Sequence, residues 1–154
     1  MELLWLPDSL YEVRTPLGRR LIEMRSSFLS AKRVQDAFLG YATQQFQRLS
    51  REGKFADVPV SRVEKHARHL LRLVEQGTHL WATGRLEVEV TDPKRVFDFA
   101  RRVAAGDIAA AQWAMMRARE TFARVTTVLP VEPDERVVEA WLLDVRRRFY
   151  VRRG

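Results

Sequence analysis

Ser61-Arg62-Val63-Glu64-Lys65-His66-Ala67-Arg68-His69-Leu70-Leu71-Arg72, running on to Gly84, decides the fold class. Ser61 followed by Glu64 reads as a capping box at the start of a helix. Beyond it Leu70, Leu71, Leu73, Val74, Leu80 and Trp81 supply an apolar stripe of helical period. Lys65, His69 and Arg72 stand at i, i+4 and i+7, so the same helix carries a cationic stripe. Like charges at that spacing repel. The stripe therefore costs stability unless it meets solvent, carboxylates or an anionic ligand.

Helical periodicity extends outward from this segment in both directions. Thr15-Pro16 is a start signal, with Thr as N-cap and Pro in the first turn, for a helix carrying Leu17, Leu21, Ile22 and Met24. Ser30 caps a long helix ending near Gly53, with Val34, Phe38, Tyr41, Gln45 and Arg48 close to one face. Asp92, Asp107 and Asp134 each precede an apolar periodic run and read as caps of three further helices, the second reaching about Val128. Two segments look extended instead: Leu3 to Leu6, stopped by Pro7, and Leu86-Glu87-Val88-Glu89-Val90, which alternates cleanly. A lone strand leaves its backbone groups unpaired, so the second must find an edge, either the first or one from another chain. The expected fold is mainly α: a single domain over residues 1–154, a bundle of about five to six helices with one or two short β-strands.

Composition bounds the function. The 154 residues are 46% apolar, with four Trp and eight Phe, enough for a packed core. There is no cysteine, which excludes disulfides and thiolate metal sites. No apolar run approaches the roughly 20 residues needed to span a bilayer, so no membrane partner is expected. Glu2 follows Met1 and the next apolar run stops at Pro7, unlike a secretory leader, which makes a cytoplasmic location the expectation. The formal net charge is +7, and Arg greatly outnumbers Lys. Arg forks suit bidentate phosphate contacts, which favours a nucleotide or nucleic-acid partner.

Two clusters are candidates for binding. On the central helix, Lys65, His69 and Arg72 fit an anion, although a plain solvated face balanced by Glu64 and Glu75 would look the same. His66 and His69 are three residues apart, as a metal pair can be, but the surrounding Lys65, Arg68 and Arg72 would repel a cation. The second cluster is Tyr41, Gln45 and Arg48, neighbours one turn apart that could line a groove, although on residues alone a helix whose glutamines simply face water is the favoured reading. Gly40 inside that helix costs about 1 kcal/mol against Ala and predicts close packing on another backbone. No Gly-rich phosphate loop, nucleophile elbow or Asp-x-Asp pair is present, so no catalytic residue and no metal ligand is assigned.

Taken in order, several of these stretches resemble a bacterial and phage family of predicted nucleotidyltransferases in the DNA polymerase β superfamily. They are Glu2-Leu3-Leu4-Trp5-Leu6-Pro7, Thr15-Pro16-Leu17-Gly18, Phe38-Leu39-Gly40-Tyr41-Ala42 with Gln45, and Lys65-His66-Ala67-Arg68-His69-Leu70-Leu71-Arg72-Leu73. Thr83-Gly84-Arg85-Leu86-Glu87-Val88, then Leu129-Pro130 with Pro133-Asp134 and the closing basic helix, complete the likeness. The family's Gly-Ser motif and metal-holding Asp-x-Asp pair are missing, so the chain resembles only the C-terminal helical portion. The resemblance implies that Tyr41, Gln45, Lys65, His66, His69 and Arg72 face a nucleotide or RNA. It also implies that Mg²⁺ and a nucleoside triphosphate enter only if a catalytic core is supplied, by a separate chain or otherwise. A homo-oligomer is a further partner expectation. The rival readings are a metal-independent ribonuclease resembling helical HEPN domains, with Arg62 and His69 at a suitable spacing, and a non-enzymatic scaffold.

Overall fold

A computed structural model describes residues 2–52 and 58–151. Among these residues there are six α-helices and no strand: α1 (Pro16–Glu23), α2 (Ala31–Glu52), α3 (Val60–Thr83), α4 (Pro93–Ala104), α5 (Ile108–Arg124) and α6 (Glu135–Val151). Short 3-10 turns cover Glu2–Trp5, Asp8–Leu10 and Arg25–Phe28. Among the described residues no helix is long and apolar enough to cross a membrane.

Five of the predicted caps hold. Thr15 Oγ1 accepts from Gly18 N (3.1 Å), Asp92 Oδ1 from Arg95 N (2.9 Å) and Asp107 Oδ1 from Ala110 N (3.1 Å). Asp134 Oδ1 accepts from Val137 N (3.2 Å) and Ser30 Oγ from Arg33 N (3.3 Å). Gly84 ends α3 at φ 70°, a left-handed conformation that glycine adopts without steric cost, and its N–H donates to Leu80 O (2.9 Å). The expected end of α2 at Gly53 lies outside the described residues.

Four expectations need correction. Residues 2–5 form a 3-10 turn, not a strand, and Leu86 to Val90 is irregular. With no partner edge for either, period-two alternation alone cannot make a ladder. The Leu86 segment instead lies along α3, with Leu86 buried and Glu87 O accepting from Gln76 Nε2 (2.8 Å). The start of α3 lies at Val60 after Pro59, whose carbonyl accepts from Arg62 N (2.9 Å), so Ser61 and Glu64 are not a capping box. Glu64 approaches Arg68 at 3.6 Å instead. Helix α5 stops at Arg124, four residues early, where the β-branched run Val125-Thr126-Thr127-Val128 begins. There Trp81 Nε1 donates to Val125 O (2.8 Å), and Thr127 Oγ1 donates to Trp81 O (2.7 Å). Gly40 is exposed, with nothing within 4 Å of a built Cβ. The close approach is at Gly77, where a Cβ would lie 2.6 Å from Phe38 Cβ.

Helix α3 is the central element. It buries Val63, Ala67, Leu70, Leu71, Val74, Gly77, Leu80 and Trp81, and it packs against α2, α4 and α5. Fully buried Ala67, Ala100 and Ala111 let the helices approach closely. Leu70 and Leu49, also fully buried, fill the space between them. At the far end Trp81 meets Phe122 edge to face, centroids 5.0 Å apart, over Leu29, Val34, Leu86 and Leu129. The contacts Phe38–Gly77 and Gln45–His66 show that α2 and α3 run antiparallel. Helices α1 and α6 differ: no residue of α1 and none from 135 to 150 is buried.

Candidate nucleic-acid interface

The antiparallel register of α2 and α3 brings Gln45 and Arg48 of one predicted cluster to the histidines and Arg72 of α3. Gln45, one turn along from Tyr41, is turned into the helix contact and is 7% exposed. His66 Nδ1–H donates to Gln45 Oε1 at 2.8 Å, so a buried amide finds its partner and fixes the ring. His69 follows one turn later on the outer side of α3. Burial, then the charges of Arg72 and His66, and more weakly Arg48, hold the His69 imidazole below its ordinary value of 6.5, with Glu2 acting in the opposite sense. The same interactions locate the site: Arg48 comes from α2, Arg72 from α3, and Glu2 from the first 3-10 turn.

Gln45, His66, His69, Arg48 and Arg72 therefore form one neighbourhood. Tyr41 is 56% exposed and Lys65 is exposed, both at its margins. Among the described residues neither is joined to the group by a hydrogen bond or ion pair. Glu2 has no signal in the sequence, since a strand over Leu3 to Leu6 gives no reason to look there. Arg72 sits at a boundary. Its Nε is buried without a hydrogen-bond partner, and it also lines a cleft of about 230 Å³ whose walls carry Glu75, Glu87, Glu89 and Asp92.

Many cations elsewhere are matched, although Arg19, Arg33, Arg85 and Arg119 among others also lack an ion pair among the described residues; what marks this face is that Arg48 and Arg72 come from two helices to one histidine. Lys94 and Arg101 reach Asp98 at 2.8 and 2.9 Å, Arg102 reaches Asp107 at 2.6 Å, and Arg124 reaches Glu120 at 3.0 Å. Arg148 reaches Asp144 at 3.0 Å. Among the described residues, no ion pair engages Arg48, Arg62, Lys65 or Arg72. Each exposed pair contributes little to stability, but pairing decides which cations can meet an incoming anion without displacing a carboxylate.

A second cleft, of about 650 Å³, opens between α4 and α5. Leu71, Phe99, Ala110 and Ala114 line it with Trp113, which is 61% exposed. Its rim cations Lys94, Arg95 and Arg102 are already matched, Arg95 by Glu75 at 2.5 Å. That cleft fits a phosphate less well than the α2–α3 face.

Neither feature suits a metal. Among the described residues no three of His, Asp and Glu come together. His66 and His69 lie beside Arg48 and Arg72, which would repel a divalent cation. Compared with family models, with curated proteins and with solved structures, the chain finds no match in any of the three.

Proposed function

We propose that the α2–α3 face binds the phosphates of a nucleotide or an RNA, and that the chain acts as a helical binding module of a nucleotidyltransferase-like protein without catalysing transfer by itself. One observation carries this reading: Arg48 from α2 and Arg72 from α3 both act on His69, opposed there by Glu2, and neither arginine has an ion pair among the described residues. Phosphoryl chemistry needs groups that position a polyphosphate and metal ions that neutralise developing charge. Arg48, His69, Arg72 and Lys65 meet the first need. Among the described residues nothing on this face meets the second, so in this reading a metal-holding core would have to come from elsewhere. Gln45 serves by orienting His66, and Tyr41 offers an exposed ring at the margin for base stacking.

Fluorescence anisotropy with a short single-stranded RNA, measured over a range of salt, tests the reading. Binding should weaken steeply with salt. Replacing Arg48 and Arg72 together by Ala should reduce the salt slope by roughly 0.7 for each phosphate that is no longer neutralised, with the melting temperature nearly unchanged. Equal binding by the double variant would end the proposal. Mg²⁺-dependent nucleotide transfer by the isolated chain would refute the non-catalytic part. RNA cleavage in EDTA that disappears in His69→Ala would make the face a ribonuclease site instead.

A further inference from the structure

Helix α6 has two unlike faces. One is held to α1: Trp141 Nε1 donates to Leu17 O at 3.2 Å, and Asp144 pairs with both Arg20 and Arg148. The other carries Glu139, Leu142, Leu143, Arg146 and Tyr150 at i, i+3, i+4, i+7 and i+11, which places them on one side of the helix. All five are exposed, Leu142 by 43%, Leu143 by 44% and Tyr150 by 70%. An isolated helix of 17 residues is marginal in water, and α6 has no buried side chain between 135 and 150 to compensate. Two leucines at the middle of its outer face call for a partner.

The charges on that face identify the partner. Glu135 and Glu139 precede the leucines, and Arg146 follows them. When two copies of α6 lie antiparallel about a two-fold axis between Leu142 and Leu143, the leucines meet at the centre. Glu139 of each copy then faces Arg146 of the other. A parallel pairing would set Glu139 against Glu139 and Arg146 against Arg146. In the antiparallel pair each Tyr150 reaches the other copy near Glu135, beside a groove of about 440 Å³ lined by Phe28, Arg33, Pro133, Val138 and Leu142 among others. The face is thus self-complementary in charge, as an isologous contact requires.

We infer that α6 is the subunit contact of a symmetric homodimer, with a second copy of this chain laid antiparallel along its outer face. The contact lies on α6 rather than on the α2–α3 face, so it stands or falls independently of phosphate binding.

Light scattering coupled to size exclusion should give twice the 18.0 kDa chain mass. Glu139→Arg and Arg146→Glu should each weaken dimerisation about tenfold or more, because each sets like charges together at two symmetric positions. Combining the two reversals in one chain should restore it, since opposite charges then face each other again across the axis. Unchanged melting of the dilute single variants keeps a folding defect from mimicking the result. Because the chain has no cysteine, Leu143→Cys should join two copies through a short bis-maleimide. Glu135→Cys should not, being roughly 20 Å from its mate by helical rise. A monomer at every concentration, a dimer indifferent to both reversals, linkage through Glu135→Cys, or a dimer abolished by Trp113→Ala would overturn the inference.

Discussion

Helices α3 and α6 are both rich in arginine, and they are anchored in opposite ways. Helix α3 buries eight side chains at the centre of the bundle, and its outer cations Arg62, Lys65 and Arg72 have no carboxylate partner among the described residues. Helix α6 buries none from 135 to 150, and Arg148 is tied to Asp144. A strongly anchored helix can carry uncompensated charge because core burial outweighs the repulsion. Helix α6 likewise leaves Arg136, Arg146 and Arg147 without an ion pair among the described residues, so what differs between the two helices is anchoring. The difference teaches that Arg content alone does not tell how firmly a helix is anchored, since one of these helices is central to the core and the other lies on its outside.

The largest test of that contrast is truncation. Leu70→Ala should cost about 2–5 kcal/mol of unfolding free energy, because Leu70 is fully buried. Leu142→Ala should stay within about 0.5 kcal/mol in dilute protein. Urea unfolding of both variants would break the comparison if the two losses were alike. Next come the glycines. Gly77→Ala should destabilise by about 1–3 kcal/mol, since its new methyl meets Phe38. Gly40→Ala should stabilise by up to about 1 kcal/mol, being exposed in mid-helix with open space beyond it. A loss at Gly40 would show a packing contact that the geometry lacks.

The smallest effects separate the two helices by pH. The folded protein holds His69 below 6.5, so the unfolded chain binds more protons just beneath that value, and stability there falls as pH falls. Asp144 is held below 3.8, first by its hydrogen bond to Arg148, so its contribution persists above 3.8 and is lost only as pH drops further. NMR titration should place the two transitions in these separate windows. Inorganic phosphate bound at the α2–α3 face should raise the His69 value and leave Asp144 where it is. An Arg72→Ala variant should raise His69 as well, by removing a neighbouring charge.

Much of the fold was legible because helix starts are local chemistry. Thr15, Asp92, Asp107 and Asp134 cap the helices that they precede, within a few residues of sequence. The capping box at Ser61 failed for an equally local reason, since Pro59 supplies the first carbonyl instead. The alternation of Leu86 to Val90 misled because pairing is a property of two segments, and no second one is present among the described residues. The candidate site was legible as two clusters on two helices. Their union depended on the register of α2 against α3, which is set at Phe38–Gly77 and Gln45–His66 and has no signature in either helix alone.

By itself, then, the sequence determined a mainly helical chain, the residues that start and stop most of its helices, and a basic stripe on the central one. These follow from periodicity and capping, interactions that reach three or four residues. Only the tertiary structure decided which cations are left without carboxylate partners, that Gly77 rather than Gly40 is the point of close approach, and that α6 presents two leucines outward. Those outcomes rest on contacts between residues far apart in the chain, and packing rather than local preference selects them.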